Sequence, residues 1–447
     1  MRAVITYMRI TDFALRDLAE GLQARGIDVS LVLCHSGERE VERAATVWPD
    51  AMFATHRVRF STLRAADATL LDGLSADVLA QALPIAERSI SPLEDVNVSH
   101  LVQVVASQYR RAHELVSKAK PSLGLFVAQP ERLLDFFVHL ILKEAGIPCV
   151  YPRVGPISGL MNFSLSRDAP LLASNDRLAP ETIRVRGIDA SSIEFRRYPT
   201  RGTNIREVIS PTQAVKRWSR SVATRARVRF WLGLKGQGVQ SPADRRRGSV
   251  VSYHLHLEPE ATTYPANGFR SNQLNNIALL SEWVGGSGQV LVKEHPVMLT
   301  RPTSLPYAVR NRNRAFYEAI RRLPNVVLLN RSGVARHRVN DSNVVATVGG
   351  NVGWEALSAG VPVVHFGQAG YENAVGAHRW TGHLRVEDVL ERDRSEIADA
   401  SRGTIRLLAQ YAFDERRPNR RVGRVRGLLA ALDATPSGLG SAACAVK

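Results

Sequence analysis

Short apolar runs alternate with helically spaced apolar positions along the first half of the chain. Runs of this kind predict strands, and apolar positions three and four residues apart predict amphipathic helices. Leu15, Leu18, Ala19 and Leu22, for example, fall on one face of a helix that Gly26 ends. The strands predicted in this half span 2–9, 27–34, 123–127 and 147–151, and the helices span 12–25, 98–118 and 131–145. Strands joined by single helices form parallel crossovers, so the pattern predicts an α/β sheet covered on both faces.

The same alternation restarts after a basic segment and continues towards the end of the chain. The strands predicted here span 250–253, 290–292, 326–329, 344–348 and 363–366, and the helices span 270–284, 312–322, 353–359 and 394–412. Two such units predict an α/β protein of GT-B type, with two Rossmann-like domains facing a cleft. The last long helix is expected to cross back to the first domain.

The chain length agrees with this division, because 447 residues exceed what one ordinary core holds. The predicted parts are two Rossmann-like domains at 1–195 and 249–390, a basic linker at 196–248, C-terminal helices packing back at 391–432 and a flexible tail at 433–447.

Most of the net charge of +17 lies in one segment. Residues 196–247 contain fourteen Lys and Arg against two acids, Glu207 and Asp244, which leaves +12 there. Trp218 and Trp231 are among the apolar residues between these cations, the pattern of a basic amphipathic helix on an anionic membrane surface. A solvated arginine-rich linker has the same composition. Nucleic-acid binding is a third interpretation, which no accompanying motif favours.

Cysteine content and hydropathy indicate the compartment. Cys34, Cys149 and Cys444 are widely spaced and form no Cys-x-x-Cys pair. This argues against a disulfide framework or a cysteine zinc site and favours a reducing compartment. The first residues resemble a strand rather than a signal peptide, and no apolar run approaches the roughly 18 residues of a membrane helix. We therefore expect a cytoplasmic protein.

A glycine-rich turn, Gly349–Gly353, joins a predicted strand to a predicted helix. Glycine permits a positive φ and the close approach of a bulky group, and a helix start directs N–H groups and a positive dipole end at the turn. Ligands of α/β sheets bind beyond the carboxyl ends of strands, so we expect a phosphate or diphosphate here. The residues assigned to it are Gly349, Gly350, Asn351, Gly353 and Glu355. The structural alternative is a tight turn in which the helix dipole alone favours Glu355.

A second strand end carries Lys293, Glu294, His295 and Pro296. Lys293 can neutralise a phosphate oxygen as a point charge, and His295 can donate a hydrogen bond or a proton to a departing phosphate. Pro296 keeps the preceding backbone extended. A purely structural His-Pro pair at a strand end is the alternative.

A third cluster, residues 255–262, follows the first strand of the second half. His256 is assigned to nucleotide-sugar binding, and Glu260 is a candidate for the carboxylate that removes a proton from an acceptor hydroxyl. A solvated acidic loop containing Glu258 and Glu260 fits equally well. The sequence contains no Asp-x-Asp pair and no recognisable set of histidine ligands, so we predict no metal.

These segments together resemble the capsule polysaccharide synthesis family, which includes bacterial Kdo (3-deoxy-octulosonate) transferases. The resemblance covers residues 250–372. The segments that carry it are Leu255–Thr262, Asn272–Ile277, Val292–Pro296, Pro324–Val327, Thr347–Ala356 and Gly360–Gly367.

The resemblance implies a GT-B glycosyltransferase that moves a sugar from a nucleotide donor, such as Kdo from a CMP donor, onto a capsule or cell-envelope glycan, which can be lipid-linked. Fixed cationic and N–H groups can replace a metal in such a reaction, so we expect no metal cofactor. His295 would contact the donor phosphate, Gly349–Glu355 would hold the rest of the nucleotide, and the first domain would bind the acceptor. The expected place of action is the cytoplasmic membrane face. Two alternatives remain: a CDP-polyol phosphotransferase of teichoic-acid type, and a non-catalytic capsule-assembly protein.

Overall fold

The computed structural model describes residues 1–6, 12–34, 38–55, 74–89, 98–130, 132–156, 160–174, 176–185, 248–256, 272–295, 312–329, 338–414 and 420–435. The chain forms two compact units. Unit 1 combines Met1–Glu194 with Thr404–Lys447, and unit 2 is Phe195–Gly403.

The strands, numbered in chain order, are β1 (Arg2–Thr6), β2 (Asp28–Cys34), β3 (Met52–Thr55), β4 (Leu123–Phe126), β5 (Cys149–Val154), β6 (Leu160–Ser164), β7 (Leu172–Ser174), β8 (Arg177–Leu178), β9 (Thr182–Ile183), β10 (Val250–His254), β11 (Gln289–Lys293), β12 (Val326–Leu328), β13 (Val344–Thr347), β14 (Val363–His365), β15 (Ala377–Arg379) and β16 (Phe413–Asp414). The α-helices are α1 (Asp12–Gln23), α2 (Glu38–Ala45), α3 (Ala76–Ser89), α4 (Val98–Ala119), α5 (Leu133–Glu144), α6 (Gln273–Val284), α7 (Arg314–Arg322), α8 (Val352–Ser358), α9 (Val386–Leu390), α10 (Arg394–Gln410) and α11 (Arg420–Ala434).

Unit 1 is built on a sheet in which β3, β2, β1, β4 and β5 pair in parallel in that order. Leu15, Leu18 and Leu22 of α1 are buried against it, because the helical period places them on one face. Beyond β5 the sheet becomes antiparallel through β6, which also pairs with β9 and β16. The parallel part is a doubly wound arrangement of Rossmann type.

The C-terminal helix α11 packs on α1 within unit 1. Gly21 makes this approach possible, since a Cβ there would stand 2.4 Å from Cδ1 of Leu429. Arg25 at the end of α1 pairs with both carboxylate oxygens of Asp433, at 2.8 and 2.5 Å. The chain therefore returns from unit 2 to complete the core of unit 1.

Unit 2 contains a fully parallel sheet with the order β12-β11-β10-β13-β14-β15. Apolar residues of these strands are buried on both faces: Val251, Val290 and Val344 are fully covered on one face, and Val345 is fully covered on the other. On α6, Ile277, Leu280 and Val284 face this core, at the spacing of an amphipathic helix.

The predicted α/β class is confirmed: the chain has two Rossmann-like units and a C-terminal helix that returns to the first. These are the parts of a GT-B architecture. The strands predicted in the first half correspond to β1, β2, β4 and β5, which pair in parallel, whereas the sequence pattern predicts no strand where β6, β9 and β16 lie. Strands β6, β9 and β16 are antiparallel to their neighbours, and β16 comes from the end of the chain, far from β6 in sequence. Among the described residues, no helix is both long and apolar enough to span a membrane.

Candidate functional site

The carboxyl ends of β10, β11 and β13 lie side by side at one edge of the second sheet. After β10 the chain builds β11 and β12 on one side, and then returns to place β13, β14 and β15 on the other. The strand order therefore reverses between β10 and β13, where open parallel sheets bind ligands. His256, Lys293, His295 and Gly349, all assigned from sequence, lie at the ends of these three strands.

His256 is held at this reversal by its main chain and by its ring. Its N–H donates to Oε1 of Gln273 at 2.6 Å, and Nε2 of Gln273 donates back to its carbonyl oxygen at 3.2 Å. Its Nε2 shares a 2.7 Å hydrogen bond with Oγ1 of Thr347 at the end of β13. Burial, followed by His295 and Arg312, lowers the pKa of His256 to about 3. The ring is therefore neutral at pH 7, and it joins the ends of β10 and β13.

A buried ion pair lies at the end of β11. Nε of Arg312 is 3.2 Å from Oε2 of Glu294, and the two side chains are 1% and 0% exposed. Tyr317 of α7 donates to the same carboxylate oxygen at 2.8 Å, and the N–H of His295 donates to the other oxygen at 2.7 Å. Nη2 of Arg312 donates to the carbonyl oxygen of His256 at 2.6 Å. The pair thereby fixes the main chain of both candidate histidines.

Lys293 and His295 are half-buried on either side of Glu294. Burial, with a contribution from Arg312, lowers the pKa of His295 to about 4. Burial also lowers the pKa of Lys293, while Glu355 opposes that shift. Lys293 is thus within electrostatic reach of the carboxylate predicted to bind ribose. This edge of the sheet therefore carries a cation (Lys293), a neutral imidazole (His295) and a carboxylate (Glu355).

The glycines of the turn are required by close packing. A Cβ on Gly349 would stand 2.2 Å from the carbonyl oxygen of Gln368, and one on Gly353 would stand 2.1 Å from Cζ of Tyr371. A Cβ on Gly350 would stand 2.6 Å from Cε1 of His256. The expectation of positive φ here was wrong, because Gly349, Gly350 and Gly353 are not among the left-handed residues. The groups that approach these glycines belong to the protein itself: the backbone of Gln368 at Gly349, and the rings of His256 and Tyr371 at Gly350 and Gly353.

The helix after the turn, α8, carries the remaining candidates. Asn351 and Glu355 are both exposed, and Asn351 makes no capping hydrogen bond through its side chain. The turn itself is closed by the hydroxyl of Tyr371, which donates to the carbonyl oxygen of Gly350 at 3.2 Å. The exposed Asn351 and Glu355 therefore project from a tightly held backbone.

Several predicted residues lie outside the described part of the chain. These include the candidate catalytic Glu260 with its neighbour Glu258, Pro296, the basic segment 196–247 and residues 436–447 of the predicted tail. In unit 1, the carboxylate of Asp135 accepts from the N–H of Arg132 at 2.7 Å, so it caps α5. The described residues contain no group of three or more His, Cys, Asp or Glu arranged for a metal ion.

Sequence reasoning missed the residues that join the strand ends. Gln273 and Thr347 lay inside segments that carry the family resemblance, and their polar character at buried positions was a usable signal. Arg312 gave no such signal, because it lies among several arginines whose surroundings the sequence does not distinguish. Its partner Glu294 was noted only as part of a motif.

No protein-family model matches this sequence, and no curated protein matches it. Solved structures with a similar trace include KpsC of Thermosulfurimonas dismutans, a β-Kdo 2,7-transferase, at 11% identity, 65% and 80% coverage of the two chains and a TM-score of 0.29. MnaA of S. aureus, solved with UDP, matches at 10% identity, 92% coverage of both chains and a TM-score of 0.29. A UDP-GlcNAc 2-epimerase of Methanocaldococcus jannaschii matches at 10% identity, 91% and 99% coverage and a TM-score of 0.28. At these TM-scores the fold assignment rests on strand order alone.

Proposed function

We propose that this chain is a glycosyltransferase whose unit 2 binds a nucleotide-sugar donor at the carboxyl ends of β10, β11 and β13. The observation that supports this most is the convergence of His256, His295 and the Gly349–Gly353 turn where the strand order reverses. Parallel sheets bind nucleotides at such reversals. Lys293 adds a cation suited to a phosphate oxygen, and Glu355 adds an acceptor suited to ribose hydroxyls.

In the proposed reaction, an acceptor hydroxyl oxygen attacks the anomeric carbon of the donor. The bond from that carbon to the phosphate oxygen breaks, and the nucleotide leaves with the electron pair. The proton of the hydroxyl passes to a carboxylate, for which Glu260 is the candidate from sequence. Lys293 stabilises the charge that develops on the phosphate, and neutral His295 donates an N–H hydrogen bond to it. Since these groups are fixed, we expect no metal requirement.

The finer form of the proposal names a donor and an acceptor. We take the donor to be a CMP-activated acid sugar such as Kdo, and the acceptor to be a capsule or cell-envelope glycan bound by unit 1. The sequence resemblance over residues 250–372 supports this form. The charge of segment 196–247 supports action at the cytoplasmic face of an anionic membrane.

Nucleotide titration tests the general form. CMP, CDP and UDP are titrated into the chain by calorimetry, and into variants Lys293→Met and Lys118→Met. We expect one nucleotide to bind, Lys293→Met to weaken it, and Lys118→Met, an exposed lysine of unit 1, to leave it unchanged. Failure of the wild-type protein to bind any of the three would sink the proposal.

Product analysis separates this function from transfer of a polyol phosphate. A glycosyltransferase that uses a CMP-sugar releases CMP and leaves no phosphorus in the product. Transfer from a CDP-polyol also releases CMP, but it carries phosphorus into the acceptor. With an acceptor that contains no phosphorus, a ³¹P signal in the purified product would therefore contradict sugar transfer.

Vesicle sedimentation tests the membrane part. Vesicles with and without anionic lipid are mixed with the chain at low and high salt. We expect binding only with anionic lipid and a loss of binding at high salt, since exposed charges are screened within roughly 10 Å at 0.1 M. Absence of binding at both salt concentrations would remove the membrane from the proposal.

A further inference from the structure

The ion pair of Glu294 and Arg312 is an unexpected feature at the edge of a sheet. Both side chains are almost fully buried, and the guanidinium also stacks 4.5 Å from the ring centre of Phe316. Removing two charges from water is costly, and apolar residues of similar volume often stabilise a fold equally well. A contribution to stability therefore does not explain well why an ion pair is buried here. Its contacts with neighbouring groups offer a better explanation.

The pair joins three separate segments of unit 2. Arg312 lies just before α7 and donates to the carbonyl oxygen of His256 beyond β10. Glu294 lies just beyond β11 and accepts the N–H of His295. Tyr317, one turn into α7, donates to Glu294. Guanidinium and carboxylate groups have fixed planar geometry. These contacts therefore fix the orientation of the backbone at His256 and His295, as well as its distance from the ion pair.

The consequence reaches the glycine-rich turn. The ring of His256 contacts Gly350 and shares a hydrogen bond with Thr347, so any displacement of the His256 backbone moves the surface against which the turn packs. The guanidinium also helps to keep His256 and His295 neutral, because a nearby positive charge disfavours the imidazolium form. A neutral ring presents one donor and one acceptor in defined positions.

We propose that Arg312 is a positioning residue for the nucleotide site: paired with Glu294, it fixes the backbone of His256 and His295 so that both rings and Gly350 meet the donor in one arrangement. The identity of the ligand rests on the proposed function, whereas the control of the two histidines by Arg312 does not. Because its side chain is only 1% exposed, Arg312 is inferred to act through other residues.

A variant in which the whole network is apolar tests this inference. Arg312→Met, Glu294→Leu and Tyr317→Phe are combined so that no charge is left buried without its partner. We expect the thermal midpoint to stay close to that of the wild type, while the dissociation constant for the nucleotide rises by at least roughly tenfold with the loss of preorganised contacts. Arg312→Lys keeps the charge but lacks the fork that reaches Glu294 and His256 together. For Arg312→Lys we expect a loss of nucleotide affinity between those of the wild type and the triple variant. This variant serves as the test if the triple variant does not fold.

The second measurement needs no ligand. The ring protons of His256 and His295 are titrated by NMR in the wild type and in the triple variant. Burial is the first cause that lowers the pKa of His295 to about 4 and the Arg312 guanidinium is the second, so we expect a partial rise of this pKa when the guanidinium is removed. Unchanged histidine titration together with unchanged nucleotide affinity would show a structural role only and would overturn the inference. A wild type that binds no nucleotide, with histidines that respond to Arg312, would reject the proposed function and leave the control of the histidines standing.

Discussion

The ring of His256 occupies the space that a side chain at Gly350 would need. A Cβ at Gly350 would stand 2.6 Å from Cε1 and 2.8 Å from Nε2 of that ring. We predict that Gly350→Ala destabilises unit 2 by about 1–3 kcal/mol, the usual cost of overpacking a fixed core group. Thermal unfolding measures this change, and nucleotide titration should show weaker binding because the turn is displaced.

Gly382→Ala is the matched control. Gly382 also lies in unit 2 and has no heavy atom within 4 Å of the position that a Cβ would take. This variant should keep the wild-type midpoint and affinity. If both alanine variants have the same thermal midpoint and nucleotide affinity, the ring of His256 can move aside without cost. The packing against Gly350 would then not define the turn.

Tyr371 holds the same turn from the opposite direction. Its hydroxyl donates to the carbonyl oxygen of Gly350 at 3.2 Å, and the side chain is 1% exposed. Tyr371→Phe removes this donor and should cost about 1 kcal/mol, the net value of a buried hydrogen bond. Denaturant unfolding measures the loss. Phe163→Leu is the control for altering a buried aromatic residue in general. Phe163 lies in unit 1, so this variant should leave nucleotide binding unchanged.

The sequence was informative where a local pattern decides the structure. Period and turn residues predicted the parallel strands of unit 2, and the carboxyl end of a strand located Lys293 and His295. The need for glycine at Gly350 and Gly353 was also predicted; of the two reasons given, close approach of a bulky group applies and positive φ does not. Positive φ is a local property that a turn motif suggests, whereas contact with His256 or Tyr371 depends on residues distant in the chain.

The remaining features depend on such distant partners. Arg312 is buried because Glu294, eighteen residues earlier, lies at the end of the neighbouring strand. Strand β16 exists because β6 offers it a free edge. Neither feature has a periodic signal in its own segment, and the fold must be known before the pairing can be recognised.

His295→Ala tests the role of the histidine in the proposed reaction. Alanine keeps the backbone N–H that donates to Glu294, so the thermal midpoint should change little. Loss of a hydrogen bond to a departing phosphate should lower turnover by about 10²- to 10³-fold. His383→Ala, an exposed histidine of unit 2, is the control and should keep full turnover. Wild-type turnover in His295→Ala would contradict the assignment of this strand end to the donor phosphate.

Chelation tests whether fixed cations suffice for the reaction. Lys293 lies at the strand end where the departing phosphate is expected, so its charge can replace a divalent ion. We predict that turnover in excess EDTA equals turnover without it, and that added Mg²⁺ does not increase it. Lys293→Met should abolish turnover in both conditions. Restoration of the Lys293→Met variant by Mg²⁺ would show instead that a metal can serve at this position.

The buried histidines of unit 2 predict a dependence of stability on pH. Burial is the first cause that lowers the pKa of His365 to about 4, and the ring is 0% exposed with Nδ1 2.7 Å from the carbonyl oxygen of Gly367. Unfolded histidine titrates near about 6.5, so between the two values the unfolded chain binds more protons than the folded chain. Stability therefore falls as pH decreases through this window, by about 1.4 kcal/mol per pH unit for each proton, and it is constant above it.

His365→Asn should reduce this slope, because asparagine can keep the hydrogen bond to Gly367 and does not titrate. The measurement is the free energy of unfolding between pH 4.5 and 7.5, with the exposed His383→Asn as the control. In His365→Asn, the slope of the unfolding free energy against pH should decrease by up to about 1.4 kcal/mol per pH unit, which corresponds to one proton. In the control it should remain unchanged. His256 and His295 carry the same sign, so part of the slope should persist in His365→Asn. A stability that is independent of pH in the wild type would mean that these rings remain accessible to protons in the folded chain.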